Sequence, residues 1–377
     1  MKILHTSDWH FGMPVGTGSY EACQRHFLSQ LREVILRENV GAVLLAGDVY
    51  DAGIVSADAI RIYNDAATML CMELGVQLIV IAGNHDSAAR LSACRELLAA
   101  AGLHVNGRLT RDVEPVLLDG GKVAVYPLPF FTRDAAEALF PEKKSEIRST
   151  ETAYMAVCDH IRETMDPARR NIVMAHAMVV GAELSDSDRS ARVGMAAAVS
   201  KDVFAGFDYV ALGHIHKPQV VAPHVRYSGS PLKYSFGSEE TQEKGVVLID
   251  TEDMSQRFIP LPPLRDRASA EGTLDELMAR EDLQDQYLKL TVTDRYAGLD
   301  LLAQLRERFP NVLEVYGKHL EDQESATALS VEELERMDET DIMKKFMAEN
   351  FGCEPTAAQL SLFADVLAWS EEEGELS

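Results

Sequence analysis

The sequence has no run of about 18 apolar residues, so it predicts no transmembrane helix. Its opening segment also lacks the apolar stretch and the small-residue cleavage site of a signal peptide. Cysteines are few: the five present are odd in number and scattered, without the paired spacing of a metal site or a disulfide framework. Together these absences favour a cytoplasmic protein with no membrane segment.

Positive charge is scarce as well. The 377 residues carry 36 lysines and arginines against 60 acidic residues, a formal net charge of −24. Nucleic-acid-binding proteins usually present a basic surface, so this balance argues against DNA as a partner. However, residues 321–377 hold 16 acidic and 3 basic residues, so −13 of the total lies in this tail. Bound divalent cations would also invert the local charge around clustered acids. The charge therefore counts only weakly against DNA.

The first 260 residues alternate short apolar runs, typical of strands, with helical stretches. The predicted helices are Tyr20–Glu38 and Ala57–Leu74, an order that indicates an α/β fold with helices on both faces of a sheet. Val225–Ser228 and Gly245–Ile249 are predicted as strands that close a second sheet. Five earlier strands are predicted at Ile3–His5, Ala42–Ala46, Leu78–Ala82, Ile172–Ala175 and Tyr209–Leu212.

Prolines at positions 260, 262 and 263 predict a domain boundary. A smaller unit follows, with a predicted strand at Tyr287–Val292 and a predicted helix at Leu299–Phe309. The remaining tail is predicted to form two acidic helices. Two capping boxes, in which side chains satisfy the free N–H groups of a first turn, are expected there: Ser330 with Glu333, and Thr356 with Gln359.

Each of the five predicted strands ends in a short polar loop: TSDWH, GDVYD, GNHD, HAM and GHIH. Ligands of open α/β sheets collect beyond the carboxyl ends of the strands. Because five loops from five strand ends can meet in one crevice, the sequence predicts a single site there. The candidate ligands in these loops all offer nitrogen or oxygen atoms: Asp8, His10, Asp48, Asn84, His176, His214 and His216.

Nitrogen and oxygen ligands without cysteine suit manganese, iron or catalytic zinc better than structural zinc. Asp8 and His10 can face one cation, and Asp48 has two carboxylate oxygens with which to bridge two. Two cations about 3.5–4 Å apart would activate a water and neutralise a phosphate. His85 is predicted to be a general acid or to stabilise the charged transition state. Asp86 would orient a ligand or His85 from behind.

Taken singly, the loops have plainer interpretations. A D-x-H pair or a GD at a strand end is common, and GHIH could be a surface pair of histidines. GNHD is stronger, because a buried Asn-His-Asp cluster in a tight turn has no evident packing purpose. The joint order of the loops favours catalysis. The remaining histidines lack partners at ligand spacing and are predicted to be core or surface residues: His5, His26, His104, His160, His224 and His319.

The ordered loops resemble those of the calcineurin-like metallophosphoesterases. The segments MKILHTSDWHFG, LLAGDVYDAG, IAGNHDS, YVALGHIHKPQ and VRYSGSPLKYSF resemble, more narrowly, the SbcD family of bacterial exonuclease subunits, counterparts of the Mre-type nucleases. This resemblance covers the first 260 residues. It implies a four-layer αββα sandwich with a small α+β capping domain and C-terminal helices. The implied domains are a nuclease domain at 1–262, a DNA-capping domain at 265–320 and partner-binding helices at 321–377.

The resemblance also implies two divalent cations, usually manganese, and a role for each ligand. Archaeal relatives carry a histidine where this chain has Asp51, but bacterial members carry Asp as here, so Asp51 is left outside the implied catalytic set. The loop after His176 reads His-Ala-Met rather than His-x-Thr, with the ligand intact. One cation would be held by Asp8, His10, Asp48 and His216, the other by Asp48, Asn84, His176 and His214, with His85 as the catalytic histidine.

The resemblance implies three partners: an SbcC-type, SMC-like ATPase with a long coiled coil, DNA, and a second copy of the chain. The dimer of this chain would form a heterotetramer with the ATPase. Tail residues would dock on the base of the coiled coil through an apolar stripe, which could equally pack on its own domain. The stripe consists of Leu360, Phe363, Ala364 and Leu367.

Contacts with a second copy and with DNA rest on the resemblance alone. The dimer would use the helix near Leu91–Ala101 and the helix Ala57–Leu74. On the latter, the candidate contact residues are Ile62, Tyr63, Ala66 and Leu70. The candidate phosphate contacts in the small domain are Lys289, Arg295 and Lys318.

The implied function is that of a nuclease subunit that hydrolyses phosphodiester bonds in DNA repair, replication and recombination. Its expected activities are an ATP-dependent double-strand exonuclease, in the 3′–5′ direction, and a single-strand and hairpin endonuclease. Two alternatives stay open. The chain could hydrolyse small nucleotide phosphodiesters, although such an enzyme would not need the capping unit or tail helices. It could also be a non-catalytic scaffold for the ATPase, against which the complete set of ligands speaks.

Overall fold

The computed structural model describes residues 1–16, 18–188, 198–294 and 299–317 and, in the tail, residues 344, 347, 355, 356, 359, 360 and 363. Across these residues, no helix is long and apolar enough to cross a membrane. The strands are β1 (Lys2–Thr6), β2 (Pro14–Val15), β3 (Gly18–Ser19), β4 (Val40–Ala46), β5 (Gln77–Ile81), β6 (Leu103–Asn106), β7 (Val116–Leu118), β8 (Val123–Pro127), β9 (Arg170–His176), β10 (Tyr209–Gly213), β11 (Gln219–Ala222), β12 (Val225–Tyr227), β13 (Gly245–Asp250), β14 (Gln256–Pro260), β15 (Arg267–Gly272), β16 (Tyr287–Val292) and β17 (Val312–Gly317).

The helices are amphipathic, and side chains cap several of their first turns. Ser56 accepts a hydrogen bond from the Ala59 N–H at the start of α2, and Ser149 and Thr152 form a capping box at the start of α6. The α-helices are α1 (Glu21–Glu38), α2 (Ala57–Ala67), α3 (Ala88–Leu91), α4 (Arg95–Ala99), α5 (Arg133–Leu139), α6 (Thr150–Thr164), α7 (Leu274–Met278) and α8 (Leu299–Arg308).

Two six-stranded sheets form the body of the fold. The first has the order β14-β13-β1-β4-β5-β6, and the second has the order β11-β12-β10-β9-β8-β7. In the first, β1, β4, β5 and β6 run parallel; in the second, β8, β9, β10 and β12 do. Since parallel strands are covered on both faces, their sequences are continuous apolar runs, which is why the five site-bearing strands could be predicted.

Three apolar clusters fill the spaces between four layers. The middle cluster joins the facing sheets through side chains such as Ile79, Ile172 and Tyr209. A second cluster packs α1 and α2 against the first sheet, and a third packs α5 and α6 against the second sheet. The order helix, sheet, sheet, helix is the expected αββα sandwich.

Two details differ from the expectations. Gly245–Ile249 does form a strand, β13, but it joins the first sheet beside β1 in antiparallel register rather than the second sheet. The second helix keeps its predicted span, but its α-helical part ends at Ala67 and the chain continues as a π-helix over Thr68–Glu73. The other strand expected in the second sheet is found there as β12.

The four candidate dimer contacts on the helix Ala57–Leu74 are buried within their own chain. Ile62 is 2% exposed, Tyr63 8%, Ala66 1% and Leu70 0%, and all four belong to the cluster that packs on the first sheet. The prediction that these side chains contact a second copy is therefore wrong. They pack in the core of their own domain, as the residues of an apolar helix face more often do.

The chain divides into two compact units. The first comprises residues 1–269, 282–289 and 311–313, and the second residues 270–281, 290–310 and 314–377. Strands β15, β16 and β17 form a three-stranded sheet in that order. β16 matches its predicted span, and α8 ends at Arg308, one residue before the predicted end. The predicted domain limits at 262, 265 and 320 stay predictions.

One of the two predicted capping boxes lies among the described tail residues. The Thr356 N–H donates to Gln359 Oε1 at 2.8 Å, and the Gln359 N–H donates to Thr356 Oγ1 at 3.4 Å, which confirms that box. Leu360 and Phe363 are helical and half-buried. The other predicted features of the tail lie outside the described residues: Ser330, Glu333, Ala364 and Leu367.

Candidate metal centre

The loops that follow β1 and β4 are held together by backbone hydrogen bonds. The Asp8 N–H donates to the Gly47 carbonyl at 3.0 Å, and the His10 N–H donates to the Asp48 carbonyl at 3.1 Å. The loops after β5, β9 and β10 leave their sheets at the same edge. They bring the remaining predicted ligands next to the loops that follow β1 and β4. All seven predicted ligands therefore lie in one place.

One group of ligands surrounds a pair of imidazoles. His10 Nε2 and His216 Nε2 lie 3.2 Å apart, and a carboxylate oxygen of Asp8 lies within 4.8 Å of a nitrogen of each ring. Asp8, His10 and His216 are nearly excluded from solvent. Once both nitrogens are deprotonated, two imidazoles at this distance can direct their lone pairs at one point, as ligands of a shared cation do.

A second group surrounds the Asn84 amide oxygen. His176 Nε2 lies 3.0 Å from Asn84 Oδ1, and His214 Nδ1 lies 2.9 Å from the same oxygen. The other ring nitrogen of His176, Nδ1, lies 2.9 Å from the Ala46 carbonyl. Because a carbonyl only accepts, Nδ1 carries a proton, and Nε2 is the nitrogen that would offer its lone pair to a cation.

Asp48 lies between the two groups. Its Oδ2 is 3.3 Å from His176 Nε2 and 3.8 Å from His10 Nε2, while its Oδ1 accepts a hydrogen bond from the His85 N–H at 2.9 Å. One oxygen thus faces a nitrogen from each group. This geometry suits a carboxylate that bridges two cations.

Four of the seven predicted ligands have left-handed backbone, which is unfavourable for residues other than glycine. Their φ angles are 54° at Asp8, 44° at His10, 49° at Asp48 and 97° at His214. Such residues cost on the order of 1–3 kcal/mol each and concentrate at functional sites. Hydrogen bonds to the neighbouring carbonyls hold these turns in place: Tyr234 OH donates to the carbonyls of Asp8 and Trp9, and Gln24 Nε2 donates to that of His10.

Glycines let the ligand loops approach one another. A Cβ on Gly47 would lie 2.3 Å from His176 Nδ1, and one on Gly83 would lie 2.1 Å from Asp48 Oδ1. A Cβ on Gly213 would lie 1.9 Å from the Ala46 carbonyl. The glycines of GD, GN and GH are therefore required by contacts between loops and not only by the turns themselves.

The buried acids and imidazoles shift one another's proton affinity. Burial raises the pKa of Asp8 to about 6 and lowers the pKa of His214 to about 3. Burial alone would raise the pKa of Asp48, but His176 and His10 outweigh it and hold that pKa well below its usual range. Burial would likewise lower the pKa of His176, yet Asp48 and Asp8 raise it to about 9. Cations that bind here would displace the protons held by these carboxyl and imidazole groups, since metal ligands must be deprotonated.

His85 is half-buried beside these groups. Its Nδ1 lies 2.7 Å from the Asp51 carbonyl, so Nδ1 carries a proton and Nε2 is the free nitrogen. The Asp86 carboxylate accepts hydrogen bonds from the backbone N–H groups of Val49, Tyr50 and Gly83, whereas the His85 ring is bound by the Asp51 carbonyl. Asp86 thus ties the GNHD turn to the loop that carries Asp48.

Asp51, left outside the predicted set, adjoins it. Its Oδ1 is 3.4 Å from His10 Nδ1, and its carbonyl holds His85 as described. Oxygen or nitrogen atoms of His10, Asp51 and His85 lie within 4.8 Å of one another. Asp51 therefore contacts both a predicted ligand and the predicted catalytic histidine.

Two further residues near His216 carry no motif that would have found them. Asp188 is 3% exposed and accepts a hydrogen bond from the His216 N–H at 3.1 Å. Ser187 Oγ lies 2.7 Å from His216 Nδ1. Burial raises the pKa of Asp188 to about 7. Their only signal in the sequence is a repeated Ser-Asp pair at positions 185–188, in the loop after His176.

Known proteins match nearly the whole chain. Residues 1–218 match the calcineurin-like phosphoesterase family, and residues 263–351 match a family described as the Type 5 capsule protein repressor C-terminal domain, SbcD_C. A protein of Staphylococcus saprophyticus that is named as a subunit of the nuclease SbcCD is 30% identical, with 99% of this chain and 100% of the relative covered. Its namesake from Staphylococcus epidermidis is 29% identical, with 92% of each chain covered. A solved archaeal phosphodiesterase is 15% identical, with a TM-score of 0.31 and coverage of 69% of this chain and 100% of that one.

Proposed function

The chain belongs to the SbcD family of calcineurin-like phosphoesterases, and on that premise we propose that it is the nuclease subunit of an SbcC–SbcD type complex. The phosphoesterase domain implies divalent metals and hydrolysis of phosphodiester bonds. The observation that carries the proposal is the position of Asp48 between two groups of nitrogen and oxygen ligands. No role in packing explains so many buried polar side chains directed at one another.

The donor atoms fit two cations. The first cation site would consist of Asp8, His10, Asp48 and His216, and the second of Asp48, Asn84, His176 and His214. The fit is supported by the 3.2 Å between His10 Nε2 and His216 Nε2, a distance at which two deprotonated ring nitrogens could share one cation. Carboxylate, amide and imidazole ligands without thiolates suit manganese, which we propose as the metal.

When bound, the cations supply Lewis acidity, which lowers the pKa of the attacking water and neutralises charge on the phosphate. The protein's own part is positional. The left-handed turns at Asp8, His10 and Asp48 keep the ligands in place before substrate arrives, so little reorganisation is needed. His85, oriented by the Asp51 carbonyl, would donate a proton to the leaving oxygen or stabilise its charge from Nε2.

We propose DNA as the substrate, with ATP-dependent double-strand exonuclease activity in the 3′–5′ direction and cleavage of single strands and hairpins. The two staphylococcal relatives named after the nuclease SbcCD support this at 29–30% identity over nearly their full length. The net charge of −24 fits if much of the basic DNA-binding surface belongs to the ATPase. Of the proposed phosphate contacts, Lys289 is half-buried, and Arg295 and Lys318 lie outside the described residues.

The deciding experiment is cleavage of a labelled hairpin oligonucleotide in Mn²⁺, with and without the SbcC-type ATPase and ATP, with metal content measured on the same sample. ATP-dependent cleavage in the presence of the ATPase supports the proposal. Hydrolysis of small nucleotide phosphodiesters without DNA cleavage would replace it with the small-substrate alternative. A metal-loaded chain that hydrolyses neither substrate, even with the ATPase, would indicate a scaffold.

The partner is tested separately through the tail. We propose that residues 330–377 dock on the coiled-coil base of the ATPase through the apolar stripe that includes Leu360 and Phe363. Deletion of residues 330–377 should abolish co-purification with the ATPase while sparing metal-dependent hydrolysis of a small phosphodiester. A complex that stays intact after this deletion would contradict the docking proposal.

A further inference from the structure

His216 is held from behind by groups that the metal centre described so far does not use. Its Nε2 faces His10, whereas its backbone N–H, its ring Nδ1 and its backbone carbonyl each contact a different side chain. Two of these contacts come from Ser187 and Asp188, in the loop that follows β9. This loop therefore acts on a proposed ligand without contributing a ligand of its own.

Asp188 divides its two carboxylate oxygens between two tasks. Oδ2 accepts a hydrogen bond from the Ser185 N–H at 2.6 Å, which closes the loop on itself. Oδ1 accepts one from the His216 N–H at 3.1 Å and lies 3.4 Å from His216 Nδ1. Loop closure alone would occupy one oxygen, so the second contact needs another explanation.

The carboxyl group of Asp188 is buried beside the His216 ring. The residue is 3% exposed, and its Oδ1 lies 3.4 Å from Nδ1 of the His216 imidazole. A buried carboxylate without a compensating charge is costly. A cation bound at His216 Nε2, on the opposite side of the ring from Asp188, would supply that charge.

Ser187 contacts Nδ1, the ring nitrogen of His216 that does not face His10. Its Oγ lies 2.7 Å from Nδ1, on the same side of the ring as the Asp188 carboxylate. A proton on Nδ1 is donated to Ser187 Oγ and is favoured by the Asp188 carboxylate at 3.4 Å, which leaves the lone pair on Nε2 facing His10. Metal-binding histidines usually donate their second ring N–H to such oxygen acceptors, which fixes the ring and raises its basicity.

The third contact fixes the backbone of the same residue. Lys244 Nζ donates to the His216 carbonyl at 2.7 Å and pairs with Glu239 at 2.7 Å, both side chains being buried. With the N–H bound to Asp188 and the carbonyl bound to Lys244, the peptide groups on either side of His216 cannot rotate freely. The ring is then the last part to be held, and Ser187 and Asp188 hold it.

We propose that Asp188, assisted by Ser187, is a positioning residue for the first cation site and acts through His216. Asp188 orients the imidazole, keeps the proton on Nδ1 and balances the charge of the cation from the far side of the ring. The inference rests on the proposed function only in requiring that His216 bind a divalent cation. It does not depend on whether the substrate is DNA.

The test is titration of the metal-free, full-length chain with Mn²⁺ by isothermal calorimetry, for wild type, Asp188→Asn, Ser187→Ala and a control. Asn has the shape of Asp, and its one amide oxygen can still accept from the His216 N–H, while the charge and the hydrogen bond from the Ser185 N–H are lost; the melting temperature of the metal-free chain measures the cost of that second loss. The matched control is Asp186→Asn, because Asp186 lies in the same loop but its carboxylate binds Ser238.

Asp188→Asn should weaken one of the two Mn²⁺ sites by about 10- to 100-fold and leave the other unchanged, as loss of such partners does elsewhere. Ser187→Ala should weaken the same site less, and Asp186→Asn should match wild type. In a His216→Ala background, Asp188→Asn should have no further effect on the affinity, because the two act in series. That cycle separates positioning from a general effect on folding.

Three results would overturn the inference. They are unchanged affinity at both sites in Asp188→Asn, equal weakening of both sites together with a lower melting temperature of the metal-free chain, and a full further loss of affinity in the His216→Ala background. If wild type binds two ions but cleaves no DNA, the proposed substrate fails and the role of Asp188 stands. If wild type binds no Mn²⁺, the metal centre and this inference fail together.

Discussion

Replacing Gly83 by alanine should disable the centre from outside the set of proposed ligands. Gly83 begins the GNHD turn, and an added Cβ would lie 2.1 Å from Asp48 Oδ1 and 2.5 Å from the Asp48 backbone nitrogen. Real Cβ contacts are essentially never shorter than 3.0 Å. The Asp48 carboxylate, the proposed bridge, would therefore lie about 0.9 Å too close to the new Cβ. The Asp48 backbone nitrogen is also too close, so the side chain cannot relieve the clash by moving alone.

The displacement is large on the scale of catalysis. A misplacement of about 1 Å can cost on the order of 10²-fold in rate, and the bridging position would affect both cations. Overpacking should also cost about 1–3 kcal/mol of stability. For a unit of this size, each kcal/mol lowers the melting temperature by roughly 2–4 °C. The variant should therefore fold, melt earlier and lose most of its activity and bound manganese.

The assay is Mn²⁺-dependent hydrolysis of a phosphodiester, together with metal content and thermal unfolding of the metal-free chain. Gly53→Ala is the matched control, because Gly53 lies in the loop after β4 and its Cβ would meet nothing closer than the His85 carbonyl at 3.9 Å. That variant should differ from wild type by no more than about 0.5 kcal/mol. If Gly83→Ala keeps two ions and full activity, the account of a centre that depends on close contacts between loops is refuted.

Three further predictions concern the catalytic histidine, the metal and a buried histidine of β1. His85→Ala should lower cleavage by about 10²- to 10⁴-fold with manganese content unchanged; a fully active variant would contradict its assigned role. Removal of metal by EDTA should lower the melting temperature, and Mn²⁺ at about 100 times its Kd should restore about 2.7 kcal/mol; a melting temperature insensitive to Mn²⁺ would count against the centre. Burial lowers the pKa of His5 to about 3, so His5 stays neutral in the fold while the unfolded chain takes up a proton below pH 6.5. In urea unfolding, wild type should therefore lose about 2 kcal/mol more stability than His5→Gln between pH 7 and pH 5; equal losses would disprove this.

The strands that carry the site could be predicted because each is a short apolar run buried on both faces. β1, β4, β5, β9 and β10 all include their predicted spans apart from terminal residues. Which neighbour a strand pairs with could not be predicted in the same way. The prediction for Gly245–Ile249 names the wrong sheet, because an apolar run shows that a strand is buried but not which strand it pairs with.

The same limit applies to surfaces. Ile62 and Leu70 form an apolar face at helical spacing, and that spacing is identical whether the face meets another copy or its own sheet. Burial decides between the two, and burial depends on the neighbouring layers. The capping box of Thr356 and Gln359, in contrast, could be predicted because both partners lie within one helical turn.

By itself, the sequence determined which side chains could bind a cation, their order along the chain and their place at strand ends. It did so because ligand chemistry belongs to residue types and strand patterns are local. Only the tertiary structure decided that Asp48 lies between the two groups, which imidazole nitrogen faces the site and that Asp188 stands behind His216. These contacts join residues far apart in sequence, such as Asp8 and His214, 206 positions apart. Their geometry arises when the two sheets pack together, and no local pattern records it.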